Sequence, residues 1–456
     1  MPNPASDLSE SYPRPAYAWY VVAILTLANT SAFVDRQILG LLVGPIRRDL
    51  QITDAEMGIL YGLAFALLYT LLGIPIARVA DRSSRRAIIG LGIAAWSVMT
   101  VLCGLARSYD QLLLARFGVG IGEAALAAPA LSLIADYFPR DRRATALSVY
   151  SLGVFLGAGL ANVVGGLLLV RLSGSAAVVW PLLGTIRPWQ QVFVIVGVPG
   201  LIVALAMVTV REPERHETAQ HESTAGFSVR EVLGYLSANR RTFFCHNLGY
   251  GLFALVNFAT AAWMPTNLIR TYGWTAARAG ITLGVLTTTI GVLGVVAGGR
   301  IADRAFARGY SDAKLRVGIV AAVANLAGGI VLYALSPNAT VTIATMVPYN
   351  FFASFAFGAA IAAVQDITPN RMRAQMGALF VSATTLIGLG LGPSLVGLLT
   401  DRVFGNDLAV RQSLLVVTTI GLSLTTVLLA AGLGPYRRSV LRRVEWTAGL
   451  SASGTR

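Results

Sequence analysis

Charged residues are scarce in this chain of 456 residues. Only 13% of the residues are charged, whereas 55% are hydrophobic, and the mean hydropathy is +0.66. A soluble protein of this length would carry roughly a quarter charged residues. The shortage of charge therefore argues against a soluble globular protein and favours a membrane protein.

Lysine, cysteine and histidine are also rare, and each shortage removes a class of function. The two cysteines, Cys103 and Cys245, fall inside apolar stretches, and the three histidines form no metal-binding pattern with them, so neither a disulfide framework nor a metal site is expected. Lys314 is the only lysine, and the net charge of +14 comes from arginines spread over short loops. Because no basic face is indicated, we expect no nucleic-acid partner.

Apolar stretches of the ~20 residues that a helix needs to cross a bilayer recur along the whole chain. They predict twelve membrane helices, and the first, from about Tyr17, is too long for a cleaved signal peptide. The expected organisation is an N-terminal six-helix bundle over 1–210, a polar cytoplasmic linker over 211–240, a C-terminal six-helix bundle over 241–433 and a cytoplasmic tail over 434–456. The predicted helices lie near 17–42, 55–79, 86–106, 110–137, 143–168, 190–210, 241–269, 277–302, 314–335, 340–365, 374–399 and 411–433.

The chain repeats itself at an offset of about half its length. The sequence ARVADR at 77–82 returns as GRIADR at 299–304, and the spacing of Asp136, Pro139 and Arg143 returns at 366–373. Such internal repetition is typical of transporters built from two homologous halves. The fold class predicted is therefore an all-α membrane protein of two pseudo-symmetric six-helix bundles.

The arginines also predict an orientation. They concentrate in the loops after helices 2, 4, 8 and 10 and in the C-terminal tail, whereas the opposite loops carry few. Since basic loops stay on the cytoplasmic side, both termini and the linker are expected there.

The loop after helix 2 resembles the signature of the major facilitator superfamily, Gly-x-x-x-Asp-Arg/Lys-x-Gly-x-Arg/Lys-Arg/Lys. Ala77 and Ser84 replace the two glycines of that signature. The resemblance implies the major facilitator fold, alternating access and a set of charged residues at the helix ends that latch one conformation. These expected latch residues are Asp81, Arg82, Arg85, Asp303, Arg304, Asp136 and Arg143.

Two further phrases resemble the spinster family within that superfamily, whose members move lysolipids or sphingosine phosphates. They are VDRQ at 34–37 and RFGVGIGEA at 116–124. The resemblance implies a lipid-like substrate that is an anionic amphiphile, such as a lysophospholipid or a sphingolipid-like molecule.

Four charged residues fall inside the predicted helices rather than in loops: Asp35, Arg36, Arg116 and Glu123. A charge at the centre of a membrane helix costs about 2.5–3.5 kcal/mol on insertion scales, so such a residue is a functional candidate. Arg116 and Glu123 are two turns apart on one helix face, about 10 Å from each other. We expect Glu123 and Asp35 to carry protons, and Arg116 and Arg36 to contact the substrate or balance the acids. A buried ion pair that only fixes packing is the alternative.

The sequence therefore predicts a proton-coupled secondary transporter and not an enzyme. We expect protons as the coupling ion, no other cofactor, contact with membrane lipids, a monomer and a location in the bacterial inner membrane. A proton-coupled carrier of a small organic anion or a drug is the nearest alternative. A membrane enzyme would need a clustered nucleophile and base, which the sequence lacks, whereas a non-transporting sensor of the same fold stays open.

Overall fold

The computed structural model describes residues 12–173, 178–180, 184–214, 229–369 and 372–453. Within that part, twelve helices are long and apolar enough to cross a membrane, which confirms the number predicted. Spans 1 to 12 are, in order, Pro15–Leu50, Asp54–Arg82, Arg85–Cys103, Tyr109–Tyr137, Thr145–Leu172, Pro188–Thr209, Arg240–Tyr272, Ala276–Ala307, Ala313–Leu335, Ala339–Asp366, Gln375–Phe404 and Asp407–Arg443.

Several spans consist of more than one helical piece. In the first six spans the α-helices are Pro15–Gln37, Leu39–Leu50, Asp54–Gly58, Ala64–Arg82, Arg85–Cys103, Tyr109–Glu123, Ala127–Tyr137, Arg140–Ser173 and Pro188–Ala206. The later α-helices are Val229–Ala238, Arg240–Tyr272, Ala276–Ala307, Ala313–Ile330, Ala339–Phe355, Phe357–Asp366, Arg373–Thr384, Gly392–Leu398 and Val410–Ser453. Turns of π-helix join pieces at Ile59–Leu63, Val331–Leu335, Thr385–Leu391 and Leu399–Phe404, and short 3₁₀ turns lie at Met207–Thr209 and Asp407–Ala409.

The structure adds two features to the predicted all-α fold. The connection between spans 5 and 6 contains a two-stranded antiparallel hairpin, β1 (Val178–Trp180) and β2 (Gly184–Ile186). The last helix continues to Ser453, so the tail expected from residue 434 begins as helix. The described residues show why: the Tyr436 hydroxyl donates to the carbonyl of Ala363 at 3.2 Å, which holds the helix against span 10 beyond the apolar stretch.

The chain forms two compact units. The first comprises 1–52, 64–225 and 275–284, and the second comprises 53–63, 226–274 and 285–456. The first turns of span 2 thus belong to the second unit. Of the predicted linker, residues 215–228 lie outside the described part, whereas the helix Val229–Ala238 belongs to the second unit.

Small residues allow close helix packing in the first unit. Span 1 packs along span 5, and span 3 packs against spans 4 and 6. A Cβ at Gly157 would lie 2.5 Å from the carbonyl oxygen of Thr30, and one at Gly122 would lie 2.6 Å from the backbone nitrogen of Trp96. Glycine at these positions lets the backbones of spans 1 and 5, and of spans 3 and 4, approach as membrane helices do.

Each unit connects the start of its third span to the end of its sixth through an ion cluster. In the Arg85 cluster, Arg85 forms ion pairs with Asp136 and, at 2.8 Å, with Glu212 just after span 6. In the Asp312 cluster, Asp312 precedes span 9 and pairs with Arg316 at 2.9 Å and with Arg437 of span 12 at 2.6 Å. In the sequence repeat Asp136 corresponds to Asp366, which pairs at 2.5 Å with Lys314 at the start of span 9, so this ion pair keeps its signs in both halves.

These contacts shift the pKa values of Glu212 and Asp312, which both lie outside the membrane spans. Burial acts to raise the pKa of Glu212, but hydrogen bonds from the Arg86 backbone N–H and from the Arg85 and Ser84 side chains outweigh it and lower the pKa. Burial likewise acts to raise the pKa of Asp312, but the hydrogen bonds from Arg316 and Arg437 outweigh this effect and lower the pKa. Both carboxylates are thus stabilised in their ionised form.

We predict that Glu212→Gln lowers the thermal unfolding midpoint of the detergent-solubilised protein at pH 7. The loss should correspond to about 1–3 kcal/mol, because Arg85, with its side chain 3% exposed, would lose a charged partner. A lowered folded-state pKa stabilises at every pH above the ordinary glutamate value and stops doing so as the pH falls through the folded value. The difference between the wild type and Glu212→Gln should therefore be constant from pH 7 to about 5 and should shrink below about pH 4.

The control for this prediction is Glu214→Gln, which removes an exposed carboxylate two residues away. It should leave the unfolding midpoint unchanged. Equal effects of the two substitutions, or a difference that persists unchanged to pH 3, would show that the contacts of Glu212 do not stabilise the fold.

Candidate functional site

Four ionisable side chains meet inside the first unit and form what we name the buried charge network: Asp35, Arg36, Arg116 and Glu123. Asp35 and Arg36 lie near the end of the helix Pro15–Gln37, and the other two lie on the helix Tyr109–Glu123. Asp35, Arg116 and Glu123 are each only 1% exposed. The structure thus brings together all four residues that the sequence singled out.

The strongest contact in the network joins spans 1 and 4. Arg36 Nε donates to Glu123 Oε2 at 2.5 Å, and the side chains are 13% and 0% exposed. From the sequence we expected Arg116 and Arg36 to balance the acids, and the structure places Arg36 against Glu123. Adjacent residues on a helix point about 100° apart, so only one of Asp35 and Arg36 can face Glu123 directly.

Aromatic rings surround the Arg36 guanidinium. Its Cζ atom lies 4.8 Å from the ring centre of Phe33, 4.6 Å from that of Phe65 and 5.1 Å from that of Tyr69. Cation–π contacts of this kind are worth about 2 kcal/mol when the site is removed from water. These three contacts could not be predicted from the sequence, because the order of residues in the chain does not indicate which helix faces meet.

The second acid of the network has its own partners. Thr100 on span 3 donates to Asp35 Oδ2 at 3.1 Å, and Arg116 Nη1 donates to the backbone carbonyl of Asp35 at 3.4 Å. In the described part of the chain, Asp35 Oδ1 and Glu123 Oε1 are buried without a hydrogen-bond partner. Buried polar atoms normally have partners, so each carboxylate has one oxygen available for a proton or for a bound group.

The expected latch residues separate into two groups. Arg85 and Asp136 belong to the Arg85 cluster, and Arg143 Nη2 donates to the carbonyl of Ala135 at 2.8 Å. The remaining four are exposed, and none has a side-chain partner within the described residues: Asp81, Arg82, Asp303 and Arg304. Glu212, which the sequence analysis had placed in the polar linker without a role, completes the first group.

One set of acidic residues in the second unit lies close enough together to hold a metal ion: Asp54, Asp401 and Asp407. Arg270 donates from Nη1 and Nη2 to the carboxylate of Asp54 at 2.5 and 2.8 Å, and from Nη1 to the backbone carbonyl of Asp407 at 3.0 Å. Asp401 in turn accepts a hydrogen bond from the backbone N–H of Ala55 at 2.5 Å. The set is therefore an ion-pair cluster built around an arginine.

The interior of the second unit has a different character. Its charged residues lie at the ends of spans, whereas the span interiors carry neutral polar groups and aromatic rings. Phe351, Phe352 and Phe355 contact one another with ring centres 5.2–5.7 Å apart. Asn257 Nδ2 donates to the carbonyl of Ala353 at 3.2 Å, next to these rings.

Twelve membrane spans in two repeated halves, with a balanced set of charges buried in one of them, define the class of secondary membrane transporters. The family model of the Major Facilitator Superfamily matches residues 25–393. The chain belongs to this superfamily, and it is a transporter rather than an enzyme.

The chain is similar to two curated proteins of this kind. An MFS-type efflux pump of Mycolicibacterium smegmatis is 32% identical over 400 residues, which cover 85% of this chain and 86% of the pump. Protein spinster homolog 1 of Xenopus tropicalis is 27% identical over 408 residues, which cover 84% of this chain and 73% of that protein.

A solved crystal structure of a spinster homologue also resembles this chain. The crystal structure of a bacterial homologue of the human lysosomal transporter Spinster, in an inward-facing and unoccupied conformation, matches with a TM-score of 0.77 and 29% identity. The match covers 95% of this chain and 99% of that one. The spinster resemblance indicated by the sequence is therefore confirmed.

We predict that Arg36→Met destabilises the protein by about 3–5 kcal/mol, because it leaves the Glu123 carboxylate buried without its ion-pair partner. The double variant Arg36→Met/Glu123→Leu should recover most of this loss, since it removes both charges and leaves Asp35 balanced by Arg116. Thermal unfolding midpoints in detergent measure both effects.

The matched control for this prediction is Arg187→Met, which breaks a more exposed ion pair. The side chains of Arg187 and Asp49 are 48% and 29% exposed. The substitution should cost less than about 1 kcal/mol. A double variant as unstable as Arg36→Met alone would contradict the prediction.

Proposed function

We propose that the protein is a proton-coupled secondary transporter that moves an anionic amphiphile by alternating access. The cargo class is a lysophospholipid or a sphingolipid-like molecule. The observation that carries this proposal is the buried charge network, with its two carboxylate oxygens that lack partners. Burying four charged groups is costly, so their presence favours a role beyond packing.

The charge balance of the network suggests how protons and substrate are coupled. Two carboxylates and two guanidinium groups sum to zero when all are ionised. One proton on Glu123 Oε1 or Asp35 Oδ1 leaves the site with a charge of +1, and an anionic headgroup restores neutrality. Because an uncompensated charge is expensive in a site of low dielectric constant, each binding event favours the other.

Arg36 and Arg116 have different roles in this mechanism. Arg36 is held by Glu123, so protonation of Glu123 weakens its main ionic contact and makes the guanidinium available to the anion. Arg116 is 1% exposed and contacts the backbone of Asp35, where it keeps a positive charge beside the acids. Guanidinium groups suit phosphate because they can donate two parallel hydrogen bonds to it.

A second candidate keeps the mechanism and changes the cargo to a small organic anion or a drug. The relative from Mycolicibacterium smegmatis, named an efflux pump, supports this candidate. The apolar interior of the second unit favours the amphiphile, because an acyl chain needs an apolar environment whereas a small polar anion does not.

We further propose that the protein is a monomer in the bacterial inner membrane with both termini in the cytoplasm. The basic loops after spans 2, 4, 8 and 10 support this orientation.

We predict that a pH gradient stimulates the movement of a labelled lysophospholipid by the wild type in proteoliposomes. Glu123→Gln should abolish the stimulation, because the glutamine cannot release or take up a proton. Glu214→Gln removes an exposed carboxylate instead and serves as the matched control, with unchanged transport. Transport of an organic anion but not of the lysolipid by wild-type protein would contradict the lipid cargo and favour the second candidate.

We also predict that anion binding depends on pH through the same group. Wild-type protein should bind an anionic lysophospholipid more tightly at pH 6 than at pH 8, whereas Glu123→Gln, with a permanent charge of +1 in the network, should bind tightly at both. Arg116→Gln should weaken binding by about tenfold or more. Equilibrium binding in detergent measures these affinities. If Asp35→Asn instead of Glu123→Gln removes the pH dependence, Asp35 carries the proton.

A further inference from the structure

A cavity of about 190 Å³ lies in the second unit between the start of span 7 and the end of span 12. Four arginines line it: Arg240, Arg241, Arg438 and Arg442. All four are exposed, and none of them forms an ion pair with a carboxylate in the part of the chain that the structure describes. Among the residues whose side chains the structure describes, no acidic one lines the cavity. The four arginines therefore give the described lining a charge of +4.

The floor of the cavity is polar and fixed in place. Thr242 and Ser439 share a hydrogen bond of 2.7 Å, and the Ser439 hydroxyl donates to Asn239 Oδ1 at 2.7 Å. These three side chains are between 2% and 4% exposed. These bonds connect span 7 to span 12, so the two helices that carry the arginines are held together at the cavity.

One of the arginines is already oriented, and a helix begins at the same place. Arg442 Nη1 donates to the carbonyl of Ala238 at 2.7 Å. The 33-residue helix of span 7 begins at Arg240, and the side chain of Asn239 does not cap it. The first N–H groups of a helix lack partners within the helix and attract anions. The cavity thus combines four guanidinium groups with a positive helix end.

The position of the cavity identifies the source of the anion. Arg240 is the first residue of span 7, and Arg442 lies next to the last residue of span 12, so the arginines flank the apolar stretches of both spans, where basic side chains attract anionic lipids. Phe244, one turn into span 7 from Arg240, is 60% exposed. An exposed apolar side chain on the membrane side of a basic cavity matches a molecule with a phosphate head and acyl chains.

We propose that this cavity binds the phosphate of an anionic phospholipid from the surrounding membrane. The arginines on spans 7 and 12 donate hydrogen bonds to the phosphate oxygens, and an acyl chain lies against Phe244. The site is separate from the buried charge network, which belongs to the first unit. A bound lipid would stabilise the contact between spans 7 and 12, because it binds the folded arrangement and not the separated helices.

The test uses purified full-length protein in a non-ionic detergent. Native mass spectrometry measures the binding of short-chain phosphatidylglycerol, of phosphatidylcholine with the same chains and of inorganic phosphate. We expect wild-type protein to bind phosphatidylglycerol at least about tenfold more tightly than the other two probes. Arg241→Gln/Arg438→Gln should weaken that binding by about tenfold or more.

The matched control is Arg300→Gln/Arg308→Gln, which removes two exposed arginines of the same unit outside the cavity. It should change the affinity less than about twofold. Equal weakening by both double variants would overturn the proposal, since it would reduce the effect to overall charge. Inorganic phosphate bound as tightly as phosphatidylglycerol would overturn the lipid source.

Discussion

The structure depends on one constraint: charge inside an apolar helix bundle must be neutralised by charge. Arg36 on span 1 and Glu123 on span 4 satisfy it for each other at 2.5 Å. Neither could occupy its place alone, because an unpaired ion in such surroundings costs several kcal/mol. The pair consequently fixes how spans 1 and 4 face one another. The aromatic rings of Phe33, Phe65 and Tyr69 complete the surroundings of the guanidinium without adding a competing charge.

The same constraint acts at the ends of the spans, where buried charges in both halves of the chain form ion pairs. Arg85 lies between two carboxylates, and Asp312 lies between two guanidinium groups. A negative side chain at a helix start is favourable with the helix dipole, whereas a positive one is not. The two carboxylates therefore stabilise the charge of Arg85 against the helix dipole, whereas Asp312 is already favoured by the dipole of its helix. The repeat itself preserves a cation at the start of the third span and an aspartate at the end of the fourth, as Arg85 with Asp136 in one half and Lys314 with Asp366 in the other.

The number and approximate limits of the twelve spans could be predicted from the sequence, because hydropathy over ~20 residues depends only on composition. The four interior charges could be predicted for the same reason. The partner of Glu123 could not: a spacing of seven residues places Arg116 and Glu123 on one face, but the rotation of span 1 decides that Arg36 reaches the carboxylate. The ion pair of Glu212 could not be predicted either, because nothing in the polar linker sequence indicates that Glu212 contacts Arg85 at the start of span 3. The extension of span 12 beyond residue 434 rests on contacts such as Tyr436 with Ala363, which hydropathy does not record.

The two units differ in what a proton can change. In the first unit, a proton on a buried carboxylate alters the net charge of a site that has little water to screen it, so its effect on the surrounding helices is large. The described span interiors of the second unit hold no carboxylate, and the buried His246 of span 7 hydrogen-bonds with Asn247 at 3.0 Å and with the carbonyl of Ala360 at 3.1 Å. On the proposed mechanism, the proton binds to a carboxylate of the first unit.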